Sequence, residues 1–114
     1  MMESRNIDFG PLQSQLDILT QSIRQKPGIE ALILFGSCAR NSGVNVNDID
    51  ILILVKDTSV DIESITSSIR KEIFLLLTLP VDIIVESRED FDARKKLPTL
   101  ERTIDREGII LYAA

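Results

Sequence analysis

Leu32-Ile33-Leu34-Phe35-Gly36-Ser37-Cys38-Ala39-Arg40 and, separated from Ser37 by ten residues, Asp48-Ile49-Asp50-Ile51-Leu52-Ile53-Leu54-Val55 are the two stretches that decide the fold. Glu30 to Phe35 is a short apolar run that stops at a glycine, as a buried strand ending in a turn does. Ile49 to Val55 is apolar on both faces apart from Asp50, the pattern of a central strand. Residues 37–47 between them are polar and turn-like, with room for one helical turn over Ser37 to Arg40.

The acids in the second stretch are out of place for a strand. Asp48 and Asp50 are two residues apart, so their side chains share a face. Aspartate is depleted in strands, and like charges on one face repel. Without a cation, such a pair pushes one carboxylate toward its neutral form. Asp82 repeats the anomaly as a single acid within Pro80-Val81-Asp82-Ile83-Ile84-Val85. If the two strands are neighbours, three carboxylates converge, and a divalent cation makes that arrangement stable. The plain alternative is that each acid lies at a strand end facing water.

Working outward, a first helix is expected from Pro11, a residue suited to the first helical position. Leu12, Leu16, Leu19 and Ile23 recur at helical spacing until Pro27-Gly28. A second helix follows the central strand, with Thr58 and Asp61 at capping-box spacing and Ile62, Ile65, Ile69 and Ile73 in one stripe. Pro80 ends it before the strand Val81 to Val85. Ser87 and Asp90 open a short helix that Pro98 must interrupt or end. Leu100 and Ile104 suggest a further helical turn or two before Gly108, and Ile109 to Tyr112 makes the final strand. This order predicts an α/β fold, a small mixed sheet with flanking helices. Residues 1–114 are expected to form one domain, with residues 1–10 a flexible N-terminal segment.

Composition narrows the chemistry. The chain has no histidine, which removes Ser-His-Asp and Cys-His catalysis and nearly every zinc site. A net charge of −5 argues against direct nucleic-acid binding, which needs a basic face. No apolar run approaches the ~20 residues of a membrane span, and no signal peptide is read at the start. One cysteine, Cys38, excludes an intrachain disulfide and suits a reducing cytoplasm. Carboxylates acting through a hard, oxygen-loving cation such as magnesium remain.

Gly36-Ser37, ten residues, then Asp48-Ile49-Asp50 resembles the signature of the DNA polymerase beta-like nucleotidyltransferase superfamily. Gly36-Ser37-Cys38-Ala39-Arg40 through Asn47-Asp48-Ile49-Asp50-Ile51-Leu52 looks especially like the minimal nucleotidyltransferases, and Val81 to Val85 and Arg106 to Tyr112 fit the same group. The resemblance implies that Gly36 and Ser37 hold a triphosphate and that Asp48 and Asp50 ligate two Mg²⁺ ions. Asp82 would contribute to the second metal or activate the attacking hydroxyl. It further implies transfer of a nucleoside monophosphate, AMP from ATP, to a hydroxyl acceptor on a helical HEPN-domain partner, as the antitoxin of a toxin–antitoxin pair. With no separate acceptor-binding domain expected in 114 residues, a partner chain or self-association would supply that surface. Asn47 stands where the group commonly has Ser, and Asn41-Ser42-Gly43 departs from a common Gly-containing stretch.

Two other readings stand beside this one: a non-catalytic binding module of the same fold, and a small-molecule nucleotidyltransferase. Arg40 could neutralise phosphate charge, pair with an acid such as Asp50, or sit in solvent. Cys38 has no histidine to activate it and is read as packing. Arg94-Lys95-Lys96 is read as a solvated helix face. Asp8-Phe9-Gly10 spells the kinase magnesium tripeptide without any companion motif and is set aside.

Overall fold

A computed structural model describes residues 1–41, 46–56 and 61–114. Met2–Glu3 (β1), Ile29–Phe35 (β2), Ile49–Val55 (β3), Val81–Ser87 (β4) and Ile109–Ala113 (β5) form one sheet in the order β1-β5-β2-β3-β4. β2 runs antiparallel to β3 and β5, while β3–β4 and β1–β5 are parallel, so the sheet is mixed as expected. Both apolar runs of the deciding stretch are interior strands.

Alternation along β3 sorts its side chains between two cores. Ile51 and Ile53 join Leu16, Leu19 and Ile23 of helix α1 (Gln13–Arg24) and Ile69 and Ile73 of helix α3 (Ile62–Leu76). Leu52 and Leu54 join Phe91 of α4 (Arg88–Arg94) and Ile104 of α5 (Leu100–Glu107) on the opposite face. Each such side chain contributes about 1.5–3 kcal/mol by leaving water. Register is therefore firmly set, because a one-residue slip would carry Asp50 onto the α1–α3 face.

Local chemistry explains the helix boundaries. Ser87 caps α4 by accepting from the Asp90 amide, and Thr99 caps α5 by accepting from the Arg102 amide, with Pro98 in the turn between them. Asp61 caps α3 directly by accepting from the Ser64 amide; Thr58, expected as its capping partner, lies outside the described residues. α3 stops at Leu76, ahead of Pro80, because Leu77 is already extended. A five-residue helix α2 (Gly36–Arg40) follows β2, starting one residue earlier than expected.

The N-terminal segment departs from expectation. β1 pairs with β5, the Met2 amide donates to the Gly108 carbonyl at 3.1 Å, and Phe9 is buried in the α1–α3 core. Two apolar residues, Ile7 and Phe9, anchor it to that core, so residues 1–10 are part of the fold. Asp8 accepts from the Gly10 amide at 2.8 Å, which gives the Asp-Phe-Gly tripeptide a structural role as a turn. No described helix is long and apolar enough to cross a membrane.

Candidate active site at the head of the central strands

Parallel pairing places Asp50 directly beside Asp82, with Ile49 beside Val81. Asp48 precedes β3 by one residue and comes to the same point. One carboxylate oxygen from each of Asp48, Asp50 and Asp82 lies within 4.8 Å of the others. Asp48 and Asp82 are exposed and Asp50 is half-buried. Among the described residues none of the three is in an ion pair. Burial raises the Asp50 pKa, the charges of Asp48 and Asp82 raise it further, and Arg40 opposes them. Three acids drawn together by strand register, with no ion-pair partner among the described residues, form a strongly negative point.

Gly36 makes the cluster sterically possible. Its φ of +72° is a left-handed conformation that side chains disfavour. A β-carbon there would also collide with Asp50 Oδ2 and come within 3.3 Å of Asp50 Cγ. The turn between β2 and α2 is thus built around the carboxylate opposite it. Half-buried Ser37 follows Gly36 at the start of α2. Arg40 is exposed at the end of that helix, with Nη1 4.0 Å from Glu107, yet still close enough to influence Asp50. Cys38 is fully buried, and burial together with the charges of Asp50 and Asp48 pushes its thiol up to about 11. It stays protonated at neutral pH, in keeping with a packing role.

An all-oxygen donor set fits a hard divalent cation. The exposure of Asp48 and Asp82 leaves such an ion accessible to phosphate oxygens, as magnesium sites require. The donor chemistry and the space left by Gly36 are both consistent with magnesium.

One supporting residue escaped the sequence reading. Gln15 of α1 reaches across to the segment before β4: its Nε2 donates to Thr78 Oγ1 at 2.6 Å, and its Oε1 accepts from the Thr78 and Leu79 amides at 3.2 and 3.4 Å. The next residue, Pro80, accepts from the Ile49 amide at 3.0 Å. Gln15 thereby steadies the lead into Asp82. Its partners are over sixty residues away in sequence, so no local pattern could have exposed it.

Residues 16–111 match the family described as Nucleotidyltransferase domain. A crystal structure of a Sulfolobus solfataricus protein assigned as a nucleotidyltransferase has a TM-score of 0.57 at 20% identity, covering 90% of this chain and 79% of that one. A mutant of the toxin–antitoxin MntA–HpeT gives 0.58 at 22% identity, covering 90% and 72%. A toxin–antitoxin with AMP-PNP gives 0.52 at 18%, covering 90% and 75%. No curated protein matches the chain. At these identities the structures establish likeness of fold. The family match runs from the first helix into the last strand, and by it the chain belongs to the nucleotidyltransferase domain family.

Proposed function

We propose that this chain is a magnesium-dependent nucleotidyltransferase that moves AMP from ATP onto a hydroxyl of a partner protein. The observation that carries the reading is the set of three carboxylates within 4.8 Å of one another, assembled by strand register and, among the described residues, held in no ion pair. An unpaired cluster of this kind is unfavourable in isolation and is relieved by a bound cation. Asp48, Asp50 and Asp82 would hold the metal, and Gly36, Ser37 and Arg40 would meet the triphosphate. When bound, the cation withdraws charge from the phosphates and offsets their repulsion from the three acids.

The remaining chemistry belongs to side chains. Ser37 Oγ and the backbone at Gly36, where no side chain intervenes, orient the triphosphate. The acceptor oxygen bonds to the α-phosphorus, the bond from that phosphorus to the bridging oxygen breaks, and pyrophosphate leaves. Asp82, exposed on the edge strand, would meet the incoming hydroxyl and take its proton. The fold likeness to MntA–HpeT and to a toxin–antitoxin with AMP-PNP supports a partner of the toxin class, for which a helical HEPN-domain protein is our proposal. The cytoplasm is the proposed setting.

Incubating the chain with Mg²⁺, ATP and its co-purified partner should add AMP to a partner hydroxyl, read by mass spectrometry. Transfer should vanish in Asp48→Asn and in Asp82→Asn. A partner that stays unmodified but tightly bound would overturn the transfer reading in favour of a binding module.

A further inference from the structure

Beside Asp82 the surface becomes apolar. α3 ends in Phe74, Leu75 and Leu76, of which Phe74 is 85% and Leu75 81% exposed. Adjacent consecutive large side chains this open are unusual on a soluble domain and mark contact surfaces. Phe74, Leu77, Leu79, Pro80 and Val81 help line a cavity of about 400 Å³. That cavity lies at the same end of the sheet as the three acids, since Val81 directly precedes Asp82 and the Pro80 carbonyl accepts from the Ile49 amide. Its wall at Thr78 and Leu79 is held by the Gln15 bonds, so the depression is preformed.

The charges at its rim identify what it fits. Arg70 lines the cavity, and Lys71 joins it in the adjoining hollow beside Phe74 and Leu75. Among the described residues neither is in an ion pair, although the chain as a whole carries −5. A basic rim around an apolar depression, on an acidic protein, complements an apolar segment flanked by carboxylates. A second copy fits poorly. A two-fold contact through this face would bring Arg70 and Lys71 toward their own counterparts.

We propose that the Phe74–Leu75 end of α3 and the neighbouring cavity are the docking surface for the acceptor protein, which presents an apolar segment with an acidic rim. This rests on the transfer reading above and supplies the acceptor-binding element that reading requires. Docking here sets the acceptor against β4, on the strand that carries Asp82.

The test uses the full chain and an extract of its own cell with ATP labelled at the α-phosphorus. Wild type should label a protein, and the label should appear more slowly as salt is raised. Phe74→Asp/Leu75→Asp should slow labelling at least about tenfold, since a few apolar anchors carry most of the binding energy of an interface. Its Mg·ATP affinity, measured by titration, should match wild type. Arg70→Glu/Lys71→Glu should slow labelling and remove most of the salt dependence. Labelling at the wild-type rate by Phe74→Asp/Leu75→Asp overturns the docking surface alone. So does a wild-type dimer, seen by light scattering, that this variant dissolves. If wild type binds Mg·ATP and labels no protein, the transfer reading itself fails and this inference with it.

Discussion

Strand β4 carries two acids on one face, Asp82 near its start and Glu86 near its end, and their surroundings differ. Asp82 meets two further carboxylates and, among the described residues, is in no ion pair. Glu86 is met by Arg94, whose Nη1 donates to Oε2 at 2.7 Å. On β2, Glu30 is likewise met by Arg88, at 3.1 Å. One end of the sheet answers its buried or crowded charge from within the chain, through residues of α4. The other end leaves it unanswered. Internal compensation marks a charge the fold has absorbed, whereas an uncompensated cluster is kept at a cost in stability and points to a ligand from outside.

The largest effect should follow from removing charge at the unanswered end. Asp50→Asn should lose nearly all of the stabilisation that Mg·ATP gives the wild type, about 2.7 kcal/mol at 100 times the dissociation constant. Without ligand, the variant should be as stable as wild type or firmer, because the charged form of Asp50 is disfavoured by burial and by Asp48 and Asp82. Thermal midpoints with and without Mg·ATP measure both. Equal responses in the two proteins would erase the distinction between the ends of β4.

A smaller, mixed effect is expected at Gly36→Ala. Left-handed backbone costs a residue with a β-carbon about 1–3 kcal/mol, and the added atom must also displace the Asp50 carboxylate. The variant should therefore lose stability and respond less to Mg·ATP. A stability loss with an intact ligand response would reduce Gly36 to a turn residue.

Much of this arrangement was legible in the sequence, for physical reasons. β2 and β3 stand out because both faces are buried, which leaves uninterrupted apolar runs. Asp50 is visible because it breaks one of them. The Gly36-Ser37 to Asp48-Ile49-Asp50 spacing is short in sequence, so it survives as a local signature. What lay hidden depends on distant partners. The docking of β1 and Phe9 needs β5 and the α1–α3 core, and two apolar residues are too few to form a periodic pattern. Gln15 reads as one more polar residue on an exposed helix face until the segment before β4 is folded against it. Nothing local marks Glu86, which follows the apolar run of β4, because its burial depends on tertiary packing.

The smallest effect, and the sharpest on the compensated end, should come from Glu86→Gln. The Glu86 side chain is only 6% exposed, and its Oε1 has no hydrogen-bond partner among the described residues. Burial first, and then the charge of Glu101, raise its pKa above the ordinary 4.5, while the Arg94 bond pulls the other way. The folded chain consequently holds this proton more tightly than the unfolded chain does. The resulting stability is fully present below pH 4.5 and is lost as pH rises through the elevated folded value. Glutamine keeps an acceptor for Arg94 and cannot ionise, so the variant should escape that loss. Its amide leaves a donor unpaired where Oε1 was, an offset of about 1–3 kcal/mol that holds the net change at pH 7 small. Comparing the two pH values cancels the offset. Relative to wild type, the variant should be more stable at pH 7 than at pH 4, measured by urea unfolding at both. Parallel curves would mean that Arg94 compensates the charge completely. A variant that fares worse at pH 7 would make the ion pair a net source of stability and widen the contrast along β4.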